Sequence, residues 1–410
     1  MAENKLKICL MSTIGQDELA YYKKRFSEFE RKHDLEVIIT QVSWNRGFSW
    51  LIDAFKKGCS PDIIQLGSTW VHTFASLGYL DPVPAAVRRP VLASWMEEVS
   101  CYQSQWVVQP WFVEIRALLV WNDILNQFDM DYTDIMTPDD FMTACHRLAR
   151  ERKEGNCRSL PFAFPIRPES EILHRYISWH MALGGEFPSL EPVSNKLLSR
   201  DSFAGSLNFF SGLAEVNRLP RSEMRKHPYE LYRDFTDEAC YVFYQGNWEL
   251  RPGHGNEASD YTVMPLPILE SGGRCWGGGS VLSVSSRSPV KDAAWRLVDF
   301  ITSDDFVEPW VPLNGNMPAF RCKFWDKYRG IKNVQQGYHQ ILNSISYPPH
   351  PMWATVERLL SVGLSNYFWQ VVEKERNTGS EVDIYSSLTA ADKIVYDFLR
   401  LKWNRCVEGA

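Results

Sequence analysis

QPWFVEIRALLVWN, residues 109–122, is the stretch from which the rest of the chain is read. It opens on Pro110, Trp111 and Phe112, sets Glu114 and Arg116 two residues apart, and closes on the apolar run Ala117 to Trp121. As a strand, alternation puts Phe112, Glu114 and Arg116 on one side and Trp111, Val113 and Ile115 on the other. Charged side chains are rarely buried without a partner, so a Glu and an Arg entering an apolar strand need something to meet. Two readings follow. One is an edge strand with a surface Glu–Arg pair beside a core tryptophan. The other is a strand facing a polyhydroxylated ligand, with a ring against its apolar face and charged groups on its hydroxyls.

Working outward towards the N-terminus, Lys5 to Met11 alternates Leu6, Ile8 and Leu10 and reads as a strand ending in the loop Ser12-Thr13-Ile14-Gly15. Asp17 to His33 carries apolar residues at helical spacing (Leu19, Tyr22, Phe26, Phe29). Leu35 to Val42 is a second strand, and Phe48 to Lys57 a short helix stopped by Gly58. Pro61 to Leu66 is a third strand, opening into Gly67-Ser68-Thr69-Trp70 and another helix. Strands alternating with helices give βαβ units and a mostly parallel sheet. Ligands collect at the carboxyl ends of such strands, here Ser12–Gln16 and Gly67–Trp70.

Beyond the central stretch, Thr137-Pro138-Asp139-Asp140 is a helix start, with Thr137 as N-cap, proline first and acids in the first turn. A short apolar run at Leu160 to Phe164 follows, then a helix at Glu171 to Leu183 carrying Trp179. Tyr241 to Tyr244 leads into Gln245-Gly246-Asn247-Trp248, and Tyr261 to Leu266 is a strand. In Cys275-Trp276-Gly277-Gly278-Gly279 the glycines permit close backbone approach, to a ligand or to another strand. Ser288-Pro289 opens a helix running to Ile301, Asn314 to Pro318 is a turn, and Pro351–Trp369 and Leu388–Trp403 form a helical tail.

The 410 residues suggest two or three domains. A hydrophobic share of 45%, a charged share of 23% and a net charge of −6 are those of an ordinary globular protein. Basic residues are scattered, which speaks against nucleic acid as a partner. No apolar run reaches the roughly 18 residues of a membrane span, and MAENKLKICLMST does not read as a signal peptide. Nine cysteines without a CxxC imply free thiols, no disulfide framework and no metal, and lean towards a reducing compartment. There is no GxSxG elbow, HExxH or P-loop, and Asp129-x-Asp131 lacks the glycine and glutamate of a calcium loop. A glycosidase would need two carboxylates about 5–9.5 Å apart, and only Glu114 lies in a stretch that looks like a site.

Several marks recur in a known order. They are Lys5–His33, Pro61-Asp62-Ile63-Ile64, Leu77-Gly78-Tyr79-Leu80-Asp81-Pro82, a proline-led strand ending Trp121-Asn122, and Thr137-Pro138-Asp139-Asp140-Phe141. Gly246-Asn247-Trp248, Pro265–Pro267, Ser288–Ile301 and Asn316-Met317-Pro318-Ala319 complete them. Over some 350 residues this order resembles the maltose-binding-protein-like solute-binding proteins of ATP-binding-cassette importers. The resemblance implies an α/β fold of two lobes, each a mostly parallel sheet flanked by helices, closing on a ligand in the cleft through a hinge of crossing strands. It sets lobe I at 1–110 plus 266–313 and lobe II at 111–265 plus 314–410. It implies non-catalytic binding of a sugar or similar polar solute without cofactor or metal, and a membrane permease as partner of a monomer outside the cytoplasm. A cytoplasmic ligand sensor of the same fold remains open because of the cysteines. The candidate ligand residues are Thr13, Ser68, Thr69, Trp70, Trp111, Glu114, Arg116, Trp248, Trp276, Gly277, Gly278 and Trp353. Of these, Trp353 and the stacking role of Trp248 come from the resemblance; each tryptophan could equally be core.

Overall fold

In chain order the elements are β1 (Lys5–Met11), α1 (Gln16–His33), β2 (Glu36–Val42), α2 (Trp44–Lys56), β3 (Ile63–Gly67), α3 (Val71–Ser76), α4 (Ser94–Ser100) and the hairpin β4 (Cys101–Tyr102) and β5 (Gln105–Trp106). Then come β6 (Gln109–Trp121), α5 (Asn122–Gln127), α6 (Pro138–Lys153), β7 (Leu160–Ala163), α7 (Ser170–Ala182), α8 (Asp201–Asn217), α9 (Pro228–Thr236), β8 (Cys240–Gly246) and β9 (Tyr261–Pro265). The chain continues with β10 (Cys275–Val284), α10 (Lys291–Ile301), α11 (Asp304–Asn314), β11 (Met317–Pro318), α12 (Lys323–Tyr328), α13 (Lys332–Leu342), β12 (Ser344–Ile345) and α14 (Trp353–Lys374). This computed structural model describes residues 5–11, 15–127, 137–155, 160–163, 170–187, 190, 201–217, 228–237, 240–246, 261–270, 272–374 and 393. Thr13, Trp248, Asp129, Asp131, Cys157, Cys406 and the expected helix at 388–403 lie outside the described residues.

The chain divides into two units, Met1–Ile115 with Asn247–Glu257 and Gly277–Ala354, and Arg116–Gly246 with Ala258–Trp276 and Thr355–Ala410. Residues 314–354, expected with the second lobe, group with the first unit, where β11 pairs antiparallel with Phe112 and Val113 of β6.

In the first unit β1 lies between β2 and β3, all parallel, as their alternation with α1 and α2 predicts. β1 is covered on both faces: Leu6, Ile8, Cys9, Leu10 and Met11 are all buried. Helix α1 buries Tyr22, Phe26 and Phe29 on one stripe, with acids in its first turn and bases in its last, and Asp34 ends it in the left-handed region. Two buried side chains lock the strands in register. The Asp62 carboxylate accepts from the Lys7 N–H (2.8 Å) and the Ser288 hydroxyl (2.7 Å). Gln65 accepts from the Met11 N–H (2.8 Å) and donates to Ser280 Oγ (3.0 Å), which fixes the carboxyl ends of β1 and β3 against β10. Buried polar groups satisfied in this way specify one arrangement.

β10 runs antiparallel between β3 and the first half of β6, and here the glycine run finds its use. A Cβ at Gly279 (φ +156°) would come within 2.2 Å of the Phe112 carbonyl, and one at Gly277 would meet Ser344 and Trp95. The close approach that the glycines permit is strand to strand. In the second unit the latter half of β6 pairs antiparallel with β9 and with β8, and β7 runs parallel to β8. Helix α6 opens with the capping box read from the sequence: Thr137 Oγ1 accepts from the Asp140 N–H (3.2 Å) and Asp140 accepts from the Thr137 N–H (2.9 Å).

Candidate functional site

Met11, Val42 and Gly67 mark the carboxyl ends of the parallel strands of the first unit. Ser68, Thr69 and Trp70 form one tight helical turn directly after β3. Ser68 and Thr69 line a pocket together with His72, Val99, the segment Ser346 to His350, and Trp353. Its volume is about 10 Å³, room for roughly one water-sized group. The far wall is held in place by backbone and side-chain contacts. Thr73 Oγ1 donates to the Pro351 carbonyl (2.6 Å), the Met352 N–H donates to His350 Nδ1 (3.1 Å), and Trp353 Nε1 donates to the Pro348 carbonyl. The Trp353 ring lies 4.7 Å from that of Tyr347. Three of the residues picked from the sequence thus come together here, from distant parts of the chain.

Trp70 is not itself in the pocket wall. It is buried, with the rings of Trp44 and Phe48 edge-on at 5.5 Å and the glycines Gly47 and Gly67 against it. Its ring supports Trp44, the half-buried first residue of α2 at the carboxyl end of β2. Trp44 was not among the sequence candidates because the apolar period places the helix start at Phe48. The signal that finds it is Ser43-Trp44 immediately after a strand ending at Val42.

Trp111 is a core residue, its ring stacked on Trp310 at 4.9 Å and tilted against Tyr22 at 6.5 Å. Trp310 Nε1 and Asn314 Nδ2 both donate to the buried Glu18 carboxylate, at 3.0 and 2.8 Å. The alternation read for β6 holds from 111 to 115: Trp111, Val113 and Ile115 are buried, Phe112 and Glu114 half-buried. Glu114 faces Gly278 across the β6–β10 pair.

In the second unit Arg116 is buried and its guanidinium lies 5.6 Å from the centre of the Trp276 ring. Trp276 is also buried and stacks on His174 (4.8 Å, 17°), whose Nε2 is 3.4 Å from the buried Glu357 carboxylate. A second histidine of this unit is fully enclosed. His180 Nδ1 is 2.7 Å from Ser206 Oγ and Nε2 is 3.0 Å from the Glu186 carbonyl. A carbonyl only accepts, so Nε2 carries the proton and Nδ1 accepts from the serine. Burial pushes the His180 imidazole down to about 4. The seven described cysteines are free thiols, and burial pushes Cys9 and Cys322 up to about 12. Among the described residues no cluster of His, Cys, Asp and Glu could hold a metal, and no helix is long and apolar enough to cross a membrane.

A family model described as bacterial extracellular solute-binding protein matches residues 24–321. A maltotriose-binding protein from Pyrococcus abyssi is 20% identical over 315 residues, which are 74% of this chain and 61% of that protein, so the chain spans less than two thirds of that relative. Among solved structures, an ABC transporter solute-binding protein from Thermotoga lettingae bound with α-D-tagatose aligns with a TM-score of 0.76 at 18% identity, covering 96% of this chain and 99% of that one. Maltose-bound T. maritima MalE3 also gives 0.76, at 16% identity and with 95% and 99% covered. These likenesses show the α/β fold of two-lobed solute-binding proteins.

Proposed function

Because the chain belongs to the bacterial extracellular solute-binding proteins, we propose that it is a non-catalytic receptor for an uncharged sugar or short oligosaccharide. We assign it to the outside of the cytoplasm, where it delivers the solute to the permease of an ABC importer. The observation that carries this reading is the convergence of Ser68 and Thr69 with Trp353 on one pocket at the carboxyl edge of a parallel sheet. Trp353 closes the pocket with an apolar wall, and the serine and threonine hydroxyls bond a hydroxyl of the solute that enters it. Trp44, half-buried on the same edge of the sheet, offers a second indole. Relatives named for maltotriose, maltose and tagatose support a sugar as the solute. Thr13 follows β1 in the sequence and Trp248 follows a Gly-Asn pair, and both belong to the proposal by position alone. Trp70, Trp111, Gly277 and Gly278 act as framework in the first unit, where Glu114 faces Gly278, and Trp276 with Arg116 against its ring does so in the second.

Calorimetry with maltose, maltotriose and tagatose tests the reading. One of them is expected to bind at a stoichiometry near one, with no product after prolonged incubation. Absence of binding to all three removes the sugar assignment. Steady product release that Glu114→Gln abolishes makes the protein an enzyme.

A further inference from the structure

His72 stands in the wall of the first-unit pocket, one helical turn after Ser68 and Thr69. Its Nε2 is buried and makes no hydrogen bond among the described residues. A buried ring nitrogen left without a partner is costly, so such an atom beside a cavity marks where a polar group belongs. The ring is otherwise fixed: Tyr102 of the β4–β5 hairpin packs edge-on at 5.6 Å, and the carbonyls of Glu98, Val99 and Cys101 lie beside it.

We propose that His72 is a specificity-determining contact whose Nε2 receives a single uncharged hydroxyl of the solute. The inference rests on the sugar-binding reading above and deepens it. Size sets the first limit, because about 10 Å³ admits one water-sized group and excludes a carboxylate or a ring. Charge sets the second. Desolvation lowers the His72 imidazole, opposed by the backbone carbonyls of Glu98, Val99 and Cys101 and reinforced by the like charge of His350, so the ring lies below the ordinary histidine range and offers an anion little charge to pair with. Val99, Pro348 and Pro349 in the walls give a charged group nothing in return for its lost water. A hydroxyl both donates and accepts, so it satisfies Nε2 in either tautomer. The solute is therefore a neutral sugar that ends in a free hydroxyl at this position, and its uronic acid is rejected.

A fixed water could fill the same space, and the test separates the two. Wild type, His72→Phe and His72→Gln, each checked by its melting temperature, are titrated with whichever of maltose, maltotriose and tagatose the wild type binds. Each monodeoxy derivative of that sugar and its uronic acid are titrated beside it. One deoxy derivative is expected to bind wild type about tenfold more weakly or worse, with the uronic acid weaker still. His72→Phe is expected to lose about tenfold on the parent sugar and nothing further on that derivative, and His72→Gln to restore part of the discrimination. Identical deoxy-to-parent ratios in wild type and both variants assign the pocket to a water and overturn the inference, while the sugar-binding reading stands. Failure of wild type to bind any of the three sugars overturns both.

Discussion

His72 in the first unit and His180 in the second are both helical histidines, yet their surroundings divide them. His180 spends both nitrogens inside its own unit, on Ser206 and on the Glu186 carbonyl, and is fully buried. His72 keeps Nε2 unbonded beside a pocket. The tryptophans repeat the division. Trp276 is enclosed by Arg116 and His174, whereas Trp353 shares a pocket wall with two hydroxyl residues. An aromatic beside polar groups is thus no mark of a binding site until the polar atoms are accounted for. His180 has both ring nitrogens bonded within its unit, whereas His72 Nε2 makes no hydrogen bond among the described residues.

The largest expected effect attacks the second-unit cluster. Trp276→Ala removes a buried indole from between packed neighbours, which costs about 3–5 kcal/mol of stability. Chemical denaturation should show that loss, while the affinity for the sugar bound by wild type stays within about twofold. A variant that keeps its stability and loses its affinity would make Trp276 a ligand contact and erase the contrast.

Next comes acid. The folded state holds His180 near 4, against an ordinary value of 6.5. The unfolded chain therefore binds an extra proton between these values. The contribution is fully present above about pH 6.5 and is lost as pH falls to 4, with a limiting size of about 3 kcal/mol. Unfolding free energies measured from pH 7.5 to 4 should fall more steeply for wild type than for His180→Gln. Equal slopes would mean that the neutral, doubly bonded histidine is not what the second unit stabilises.

In the first unit the effect moves from stability to binding. Trp353→Ala should lower affinity by roughly 2 kcal/mol, about thirtyfold, because it removes the apolar wall of the pocket that receives the solute. Trp353 is as buried as Trp276, so the variant also loses stability, and the dissociation constant is the readout: an unchanged constant would make Trp353 purely structural.

The parts of this division that sequence carries are those set by local period. β1 to β3 announce themselves by alternation, α6 by Thr137-Pro138-Asp139-Asp140, and the carboxyl end of β3 led directly to Ser68 and Thr69. What escapes is set by contacts far along the chain. The glycines at 277–279 fit a ligand or a strand equally well, until Ser344, Trp95 and the Phe112 carbonyl are found against them. The β4–β5 hairpin has strands of two residues and turns through Gln103 and Ser104 at positive φ (47° and 63°), without the Asn-Gly that signals such a turn. Helix α11 carries Pro309 and Pro312 inside it, so the period that would reveal it is broken. Trp353 entered only through the resemblance, and nothing in Val71-His72-Thr73-Phe74 distinguishes His72 from a core histidine. Its role depends on the residues at 346–353, which share the pocket.

The smallest effects make the sharpest comparison, because the same chemical change can be made in both units. Ser68→Ala and Thr137→Ala each delete one hydroxyl. Thr137 Oγ1 caps α6 by accepting from the Asp140 N–H, and loss of such a cap costs about 1 kcal/mol of stability. Nothing about that helix start bears on the pocket of the first unit, so the affinity of Thr137→Ala for sugar should equal that of wild type. Ser68 lines the pocket, and a neutral hydrogen bond to a ligand hydroxyl contributes on the order of 1 kcal/mol, about fivefold in affinity. Its alanine variant should melt with wild type and bind more weakly. If the two variants exchange these signatures, or if Ser68→Ala changes only the melting temperature, the Ser68 hydroxyl serves the fold as that of Thr137 does.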